Sequence, residues 1–183
     1  EVFISGLNDS KQISHKKREQ LFNEILAKAV AIKVNIVSVS NIDDLNIYVA
    51  TQQGMKEVIE NLSIQPDVAL IDAMPVQSDK IRTLSIVHGD ALSASIAAAS
   101  IIAKVTRDRI MERIDVIHPE YGFAGNKGYG SVAHMQAIMS KGATCWHRRS
   151  FEPVKSMELD PVAHEDNILY SPLLDEYEYP VNR

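Results

Sequence analysis

The apolar positions change period several times along the chain, and each change predicts an element. From Ser14 onward, Leu21, Phe22, Ile25, Leu26 and Ala29 recur at helical spacing, with Ser14 placed to cap the first turn. AIKVNIVSVS then alternates, Ile32, Val34 and Ile36 against Lys33 and Asn35, which predicts a half-buried strand. Asn41 or Asn46 can cap the next helix, which carries Val49, Met55, Val58, Ile59 and Leu62. After Pro66, DVALIDA is a short continuous apolar run with an acid at its end, the pattern of a strand buried on both faces, and Pro75 breaks it. TLSIVHG is a second candidate strand. An Ala/Ser-rich helix follows and is predicted to continue through Ile110, Ile114 and Ile117 to Pro119.

Beyond Pro119 the pattern changes. GFAGNKGYGS holds four glycines in ten residues, which predicts a loop with demanding backbone angles. VAHMQAIMSKG predicts a short helix with a glycine stop, and CWHRRSFEPVK is irregular. Residues 156–183 carry Pro161, Pro172 and Pro180 with acids between them, which predicts a loosely attached tail behind a domain of residues 1–155. Strands alternating with helices make the fold class α/β, and no internal repeat is present.

Composition narrows the class. The 183 residues are 45% hydrophobic and 23% charged, enough for a core and too apolar for wholesale disorder. A single cysteine, Cys145, cannot form an internal disulfide, and no Cys/His cluster has zinc spacing, so a reducing, cytoplasmic location is expected. The start, EVFISGLNDSKQ, is not a signal peptide. The longest small and apolar run, Ala91 to Ala103, falls short of the ~20 residues of a membrane span, so no membrane partner is expected. Net charge is −5. Residues 156–183 hold seven acids against Arg183, a net −6, which leaves residues 1–155 at +1 with local basic clusters at Lys16-Lys17-Arg18, at Lys104 with Arg107 and Arg109, and at Arg148-Arg149. Such clusters suit phosphates or are simply solvated surface.

Two carboxylates stand out. Asp72 ends one apolar strand run and Asp90 follows the other. In α/β sheets active sites gather beyond the strand ends. Two acids there repel unless a cation lies between them, and oxygen-only ligands select Mg²⁺ or Mn²⁺. The other readings stay open: Asp90 as a helix cap, Asp72 as a turn residue. The small residues after Asp90 would let that helix approach a sheet closely and fix the carboxylate.

Six blocks together resemble ribonuclease HII, a type 2 ribonuclease H: GLNDSKQIS (Gly6–Ser14), NIDDLNI (Asn41–Ile47), LIDA (Leu70–Ala73), HGDALSASIAAASIIAKVTRDR (His88–Arg109), YGFAGNKGYGS (Tyr121–Ser131) and HRRSFEPVK (His147–Lys155). The resemblance implies a ribonuclease H-like mixed sheet flanked by helices. It implies cleavage of the RNA strand of RNA–DNA hybrids, and 5′ to ribonucleotides embedded in duplex DNA, with Mg²⁺ or Mn²⁺. Asp72 and Asp90 match the third and fourth of the family's four acids. Tyr129, in Lys127-Gly128-Tyr129-Gly130, matches the residue that stacks on the sugar at the RNA-to-DNA junction, with Lys127 and Gly128 beside it. Asn8, Ser10 and Lys11 match a segment near the substrate backbone, with Lys11 as a phosphate contact. By residue type alone, Tyr129 could close a turn, Asn8 to Lys11 could be a capping loop, and His147 to Arg149 could steer nucleic acid or pack.

The family normally opens with a strand carrying Asp-Glu followed by Val-Gly-Arg-Gly, and no segment here matches it. The expected fold is therefore incomplete at its N-terminus. Asp43 and Asp44 are expected at a helix start, unable to replace the missing acids. The expected outcomes are an impaired nuclease, low stability, dimerisation through an exposed sheet edge, or residues preceding Glu1. The competing expectations are a non-catalytic nucleic-acid-binding or interaction fragment, and a ribonuclease HIII-type relative.

Overall fold

The structure, a computed structural model, describes residues 4–7 and 10–157. Asn8 and the acidic tail from Glu158 lie outside the described residues. Two compact units emerge: residues 4–35 and 51–106 within the described range form one, residues 36–50 and 107–157 the other.

In the first unit, helix α1 (His15–Lys28) starts where Ser14 Oγ accepts the Lys17 amide. It buries Leu21, Phe22 and Ile25 against Ile101, Ile102 and Val105 of helix α5 (Ala94–Ile117). Arg18 is buried in α1. Its guanidinium donates to the carbonyls of Ser10 (2.9 Å) and Ile13 (2.8 Å), so the loop before the helix is held from below.

Residues 32–36 correct one expectation. Ile32 and Val34 do pack on this core while Lys33 and Asn35 are exposed, yet the segment is not a strand. Alternation describes burial; a strand also needs a ladder partner, and none is present among the described residues.

The strands are β1 (Val68–Asp72) and β2 (Arg82–Ile86), parallel, with Val68 opposite Arg82 and Asp72 opposite Ile86. Ile71 packs with Ile59, Val76 and Ile81, under the second half of helix α3 (Ile47–Glu60). Glu60 accepts the Ser78 hydroxyl (2.8 Å) and the Asp79 amide, which fixes the turn leading into β2. Burial on both faces is not observed. Leu70 and Leu84, direct register partners, are 38% and 40% exposed. Among the described residues the ladder has only these two strands, and Leu70 and Leu84 lie outward from it.

The Ala/Ser helix is also interrupted. A single turn, α4 (Gly89–Leu92), is followed by an extended Ser93 (φ −127°, ψ 122°) before α5 begins. Asp90 therefore sits in its own turn and does not cap the long helix. Nor do the small residues line a sheet: Ala91, Ala94, Ala99 and Ala103 are exposed, and the buried stripe is Ile96, Ala97, Ile101, Ile102 and Val105.

In the second unit, helix α2 (Val39–Leu45) is capped by Ser38, and Asn46 Oδ1 accepts the Tyr48 and Val49 amides at the start of α3. Asp43 and Asp44 thus fall in the last half of α2, which corrects their expected place at a helix start. The carboxylate of Asp43 accepts the amides of Arg149 (2.7 Å) and Ser150 (2.9 Å), pinning the irregular segment. The core joins Ile114 from α5, Tyr121 and Phe123, Ile138 from helix α7 (Val132–Lys141), and Val154. The expected loop contains a helical turn, α6 (Phe123–Asn126). No helix among the described residues is long and apolar enough to cross a membrane.

Candidate functional site

The sheet's C-terminal end brings Asp72 to the turn that carries Asp90. Asp72 is the last residue of β1 and its side chain is exposed. Its Oδ1 accepts the Gly89 amide at 2.9 Å, so the carboxylate lies against the residue that precedes Asp90. Gly89 permits this approach: a Cβ there would come within 2.5 Å of Ile96 Cδ1 and 3.5 Å of Asp72 Oδ1. Asp90 itself is half-buried in the same turn.

Two non-glycine residues flank the pair in left-handed conformations, Ala73 at φ 54° after Asp72 and His88 at φ 56° before Gly89. Each costs about 1 kcal/mol, and such strain collects where the chain is held in a functional shape. Ala73 is held by the Ile86 carbonyl, which accepts its amide at 2.9 Å.

The donor set is oxygen only, which fits a hard cation such as Mg²⁺ or Mn²⁺ and not a soft one. Among the described residues no group of three or more His, Cys, Asp or Glu side chains converges.

In the same unit, Ser10 is buried and its hydroxyl accepts from Ser100 (2.8 Å) while its carbonyl takes Arg18. It holds the loop, and the neighbouring Lys11 is exposed.

The tyrosine loop belongs to the second unit. The Tyr129 amide closes a turn onto the Asn126 carbonyl at 2.9 Å, while its side chain is 62% exposed. The Arg107 guanidinium lies 5.0 Å from its ring centroid, a cation–π contact that presents the ring. Gly128 (φ 74°) lies over α5, where a Cβ would meet Met111 Cε at 3.1 Å. Lys127 spends its ammonium on Glu112 (2.6 Å) and braces the loop from beneath.

His147 to Arg149 resolve into packing. His147 is buried, the Arg148 guanidinium lies 3.8 Å from the Phe151 ring centroid, and the Arg149 amide goes to Asp43. Burial, and then nearby Arg107, lower the Arg148 pKa below its ordinary value.

Sequence reasoning passed over Arg107 as the partner of Tyr129, and over His134, whose Nδ1 lies 2.9 Å from the Tyr129 carbonyl oxygen. No motif marks Arg107. A histidine three residues past the capping Ser131 was the available signal for the second.

Comparison with known proteins identifies the chain's family. A family model described as Ribonuclease HII matches residues 4–154. The chain is 51% identical over 156 residues to Ribonuclease HII of Ligilactobacillus salivarius (strain UCC118), covering 85% of this chain and 61% of that protein. It is 52% identical over 157 residues to Ribonuclease HII of Bacillus thuringiensis (strain Al Hakam), covering 86% of this chain and 61% of that protein. The chain thus spans about 61% of the length of these curated relatives. Among solved structures, the ribonuclease H2 from Pyrococcus horikoshii OT3 superimposes with a TM-score of 0.71 over 82% of this chain and 79% of that one, at 23% identity, a likeness of fold.

Proposed function

The chain belongs to the ribonuclease HII family, and on that premise we propose that the protein is a metal-dependent endoribonuclease. Its substrates are RNA–DNA hybrids and duplex DNA with embedded ribonucleotides, and the bond cut lies 5′ to the ribonucleotide. The observation that carries the reading is the Gly89 amide on Asp72 Oδ1, which sets the β1 carboxylate against the turn bearing Asp90.

In this reading Asp72 and Asp90 are the catalytic and metal-holding carboxylates. When bound, Mg²⁺ or Mn²⁺ supplies the Lewis acid charge that turns water into a nucleophile and stabilises the leaving oxygen. The Gly89 amide orients Asp72, which with Asp90 would hold the ion. Tyr129, presented by Arg107, stacks on the sugar beside the RNA-to-DNA junction. Gly128 lets the backbone come close to the substrate, and Lys127 supports that loop. Lys11 meets a phosphate from a loop that Ser10 anchors. Asn8 belongs to the same segment and lies outside the described residues. Residues 1–155 form the working domain, residues 156–183 are an acidic tail, and the location is cytoplasmic.

Asp72 and Asp90 match two of the family's four acids and no group of three gathers among the described residues, so in this reading this chain by itself cuts slowly or not at all. That same observation favours a second reading for the isolated chain, a non-catalytic nucleic-acid-binding fragment. Both strands are edge strands of the ladder among the described residues, and Leu70 and Leu84 are exposed on its face, which supports pairing of two copies through this sheet.

The test uses the full-length protein with Mn²⁺ and a DNA duplex containing one ribonucleotide. Asp72→Asn and Asp90→Asn should each abolish cutting while leaving duplex affinity within about twofold. Cutting by either variant at the unsubstituted rate would remove these residues from the mechanism.

A further inference from the structure

Two buried imidazoles tie the tyrosine loop from behind. His134, in the first turn of α7, is 4% exposed, and His147, in the irregular segment, 7%. Their Nε2 atoms lie 3.2 Å apart. At one end, His134 Nδ1 is 2.9 Å from the Tyr129 carbonyl oxygen; at the other, His147 Nδ1 is 2.9 Å from the Thr144 amide nitrogen.

The Thr144 hydroxyl also lies 2.9 Å from His147 Nδ1 and can donate there, so the backbone amide sets the direction of the chain. An amide can only donate, so His147 Nδ1 must carry a lone pair and its hydrogen sits on Nε2. That hydrogen goes to His134 Nε2, which must therefore accept. The His134 hydrogen is left on Nδ1, facing a carbonyl that can only accept. The Thr144 amide, His147, His134 and the Tyr129 carbonyl form one chain of hydrogen bonds with a single direction. Burial, with the neighbouring His134, pushes the His147 pKa down to about 4, so the ring is neutral near pH 7 as this chain requires. Phe123 and Tyr121 wall the pair, with ring centroids 5.2 Å from His134 and 5.0 Å from His147 respectively.

A core histidine usually satisfies itself among its packing neighbours. Here the chain ends on the residue whose ring is exposed. The His134 backbone amide is also bonded to Ser131 Oγ, and the Ser131 amide donates to the Tyr129 carbonyl at 2.8 Å, so helix and loop are stapled at one point.

We propose that His134 and His147 are positioning residues that set the height and tilt of Tyr129 through its main-chain carbonyl, and that recognition of an embedded ribonucleotide depends on them. The inference rests on Tyr129 being the substrate-facing residue. Neither imidazole touches the nucleic acid. A misplaced ring weakens selectivity without removing any group that contacts the substrate.

The experiment measures, with the full-length protein, the affinity for a fluorescent DNA duplex containing one ribonucleotide relative to the same all-DNA duplex. Tyr129→Ala sets the scale of lost selectivity. His134→Asn keeps a donor near the Nδ1 position and should retain the ratio within twofold. His134→Gln places its amide near Nε2, loses the carbonyl, and should lose the ratio about as far as Tyr129→Ala. Added to Tyr129→Ala, His134→Gln should change nothing further, since both act through one ring. Equal behaviour of the Asn and Gln variants, or losses that multiply in the double variant, would overturn the positioning role while leaving Tyr129 in place. An unchanged ratio in Tyr129→Ala would instead remove the tyrosine's role, and this inference with it. Because the decisive comparison is between two amides of similar polarity, a general loss of packing cannot mimic it.

Discussion

At the scale of single residues, backbone strain at Ala73 and the buried imidazole of His147 each carry a prediction. Ala73 holds φ 54° without being glycine. Relief of that strain is worth about 1–2 kcal/mol, and the extra freedom glycine gives the unfolded chain costs roughly 0.4–1 kcal/mol. Ala73→Gly should therefore stabilise the protein by about 0.5–1 kcal/mol, read as a higher urea midpoint with an unchanged slope. A lower midpoint would show that the backbone there is not strained. His147 makes the opposite kind of statement. Its folded pKa of about 4 lies below the ordinary 6.5, with His134 and then His118 adding to the effect of burial. The unfolded chain binds its proton first, so the contribution is complete above pH 6.5 and drains away as pH falls towards 4. The loss is on the order of 3 kcal/mol. Stability measured at pH 7 and 4.5 should drop, and His147→Asn should flatten that part of the profile. An unchanged drop would assign it to carboxylates elsewhere.

At the scale of elements, the caps and the helix faces were plain from residue type. Ser14 and Asn46 cap α1 and α3 because short polar side chains satisfy the first amides, and no competing geometry intervenes. β1 was legible as far as its ends, including the acid that closes it. Its two-faced burial was not, because an apolar run states what a strand can bury and not what is there to cover it. Residues 32–36 fail for the same reason. The break at Ser93 had no signal: a serine in a run of small residues is compatible with helix. Of the candidate site, the acids stood out by their place at the strand ends and Tyr129 only through the family resemblance, whereas Arg107 and His134 matter through contacts that distant parts of the chain create. The uncovered Leu70–Leu84 pair yields its own prediction. Leu70→Thr with Leu84→Thr should reduce self-association of this chain in sedimentation by severalfold, since Thr keeps strand propensity and removes most of the apolar surface. Unchanged self-association would exclude this face as the contact.

At the scale of the whole molecule, charge is the feature that bears on a polyanionic substrate. The −5 total hides a +1 body and a −6 tail. A protein ending at Lys155 should associate with duplex DNA faster than the 183-residue chain at low salt, by a fewfold. The two rates should converge by ~0.5 M salt, where the screening length falls to a few Å. Stopped-flow fluorescence with a labelled duplex measures both. A difference that survives high salt would mean that the tail obstructs by bulk and not by charge.

The bond between Asp72 Oδ1 and the Gly89 amide decides how substitutions at this aspartate are to be interpreted. Asparagine retains a carbonyl oxygen that can accept the same hydrogen, so it erases the negative charge and spares the scaffold. Alanine deletes both at once and frees the neighbouring turn to drift. An inactive alanine variant would therefore leave electrostatics and architecture entangled, and only the carboxamide distinguishes the ligand from the latch.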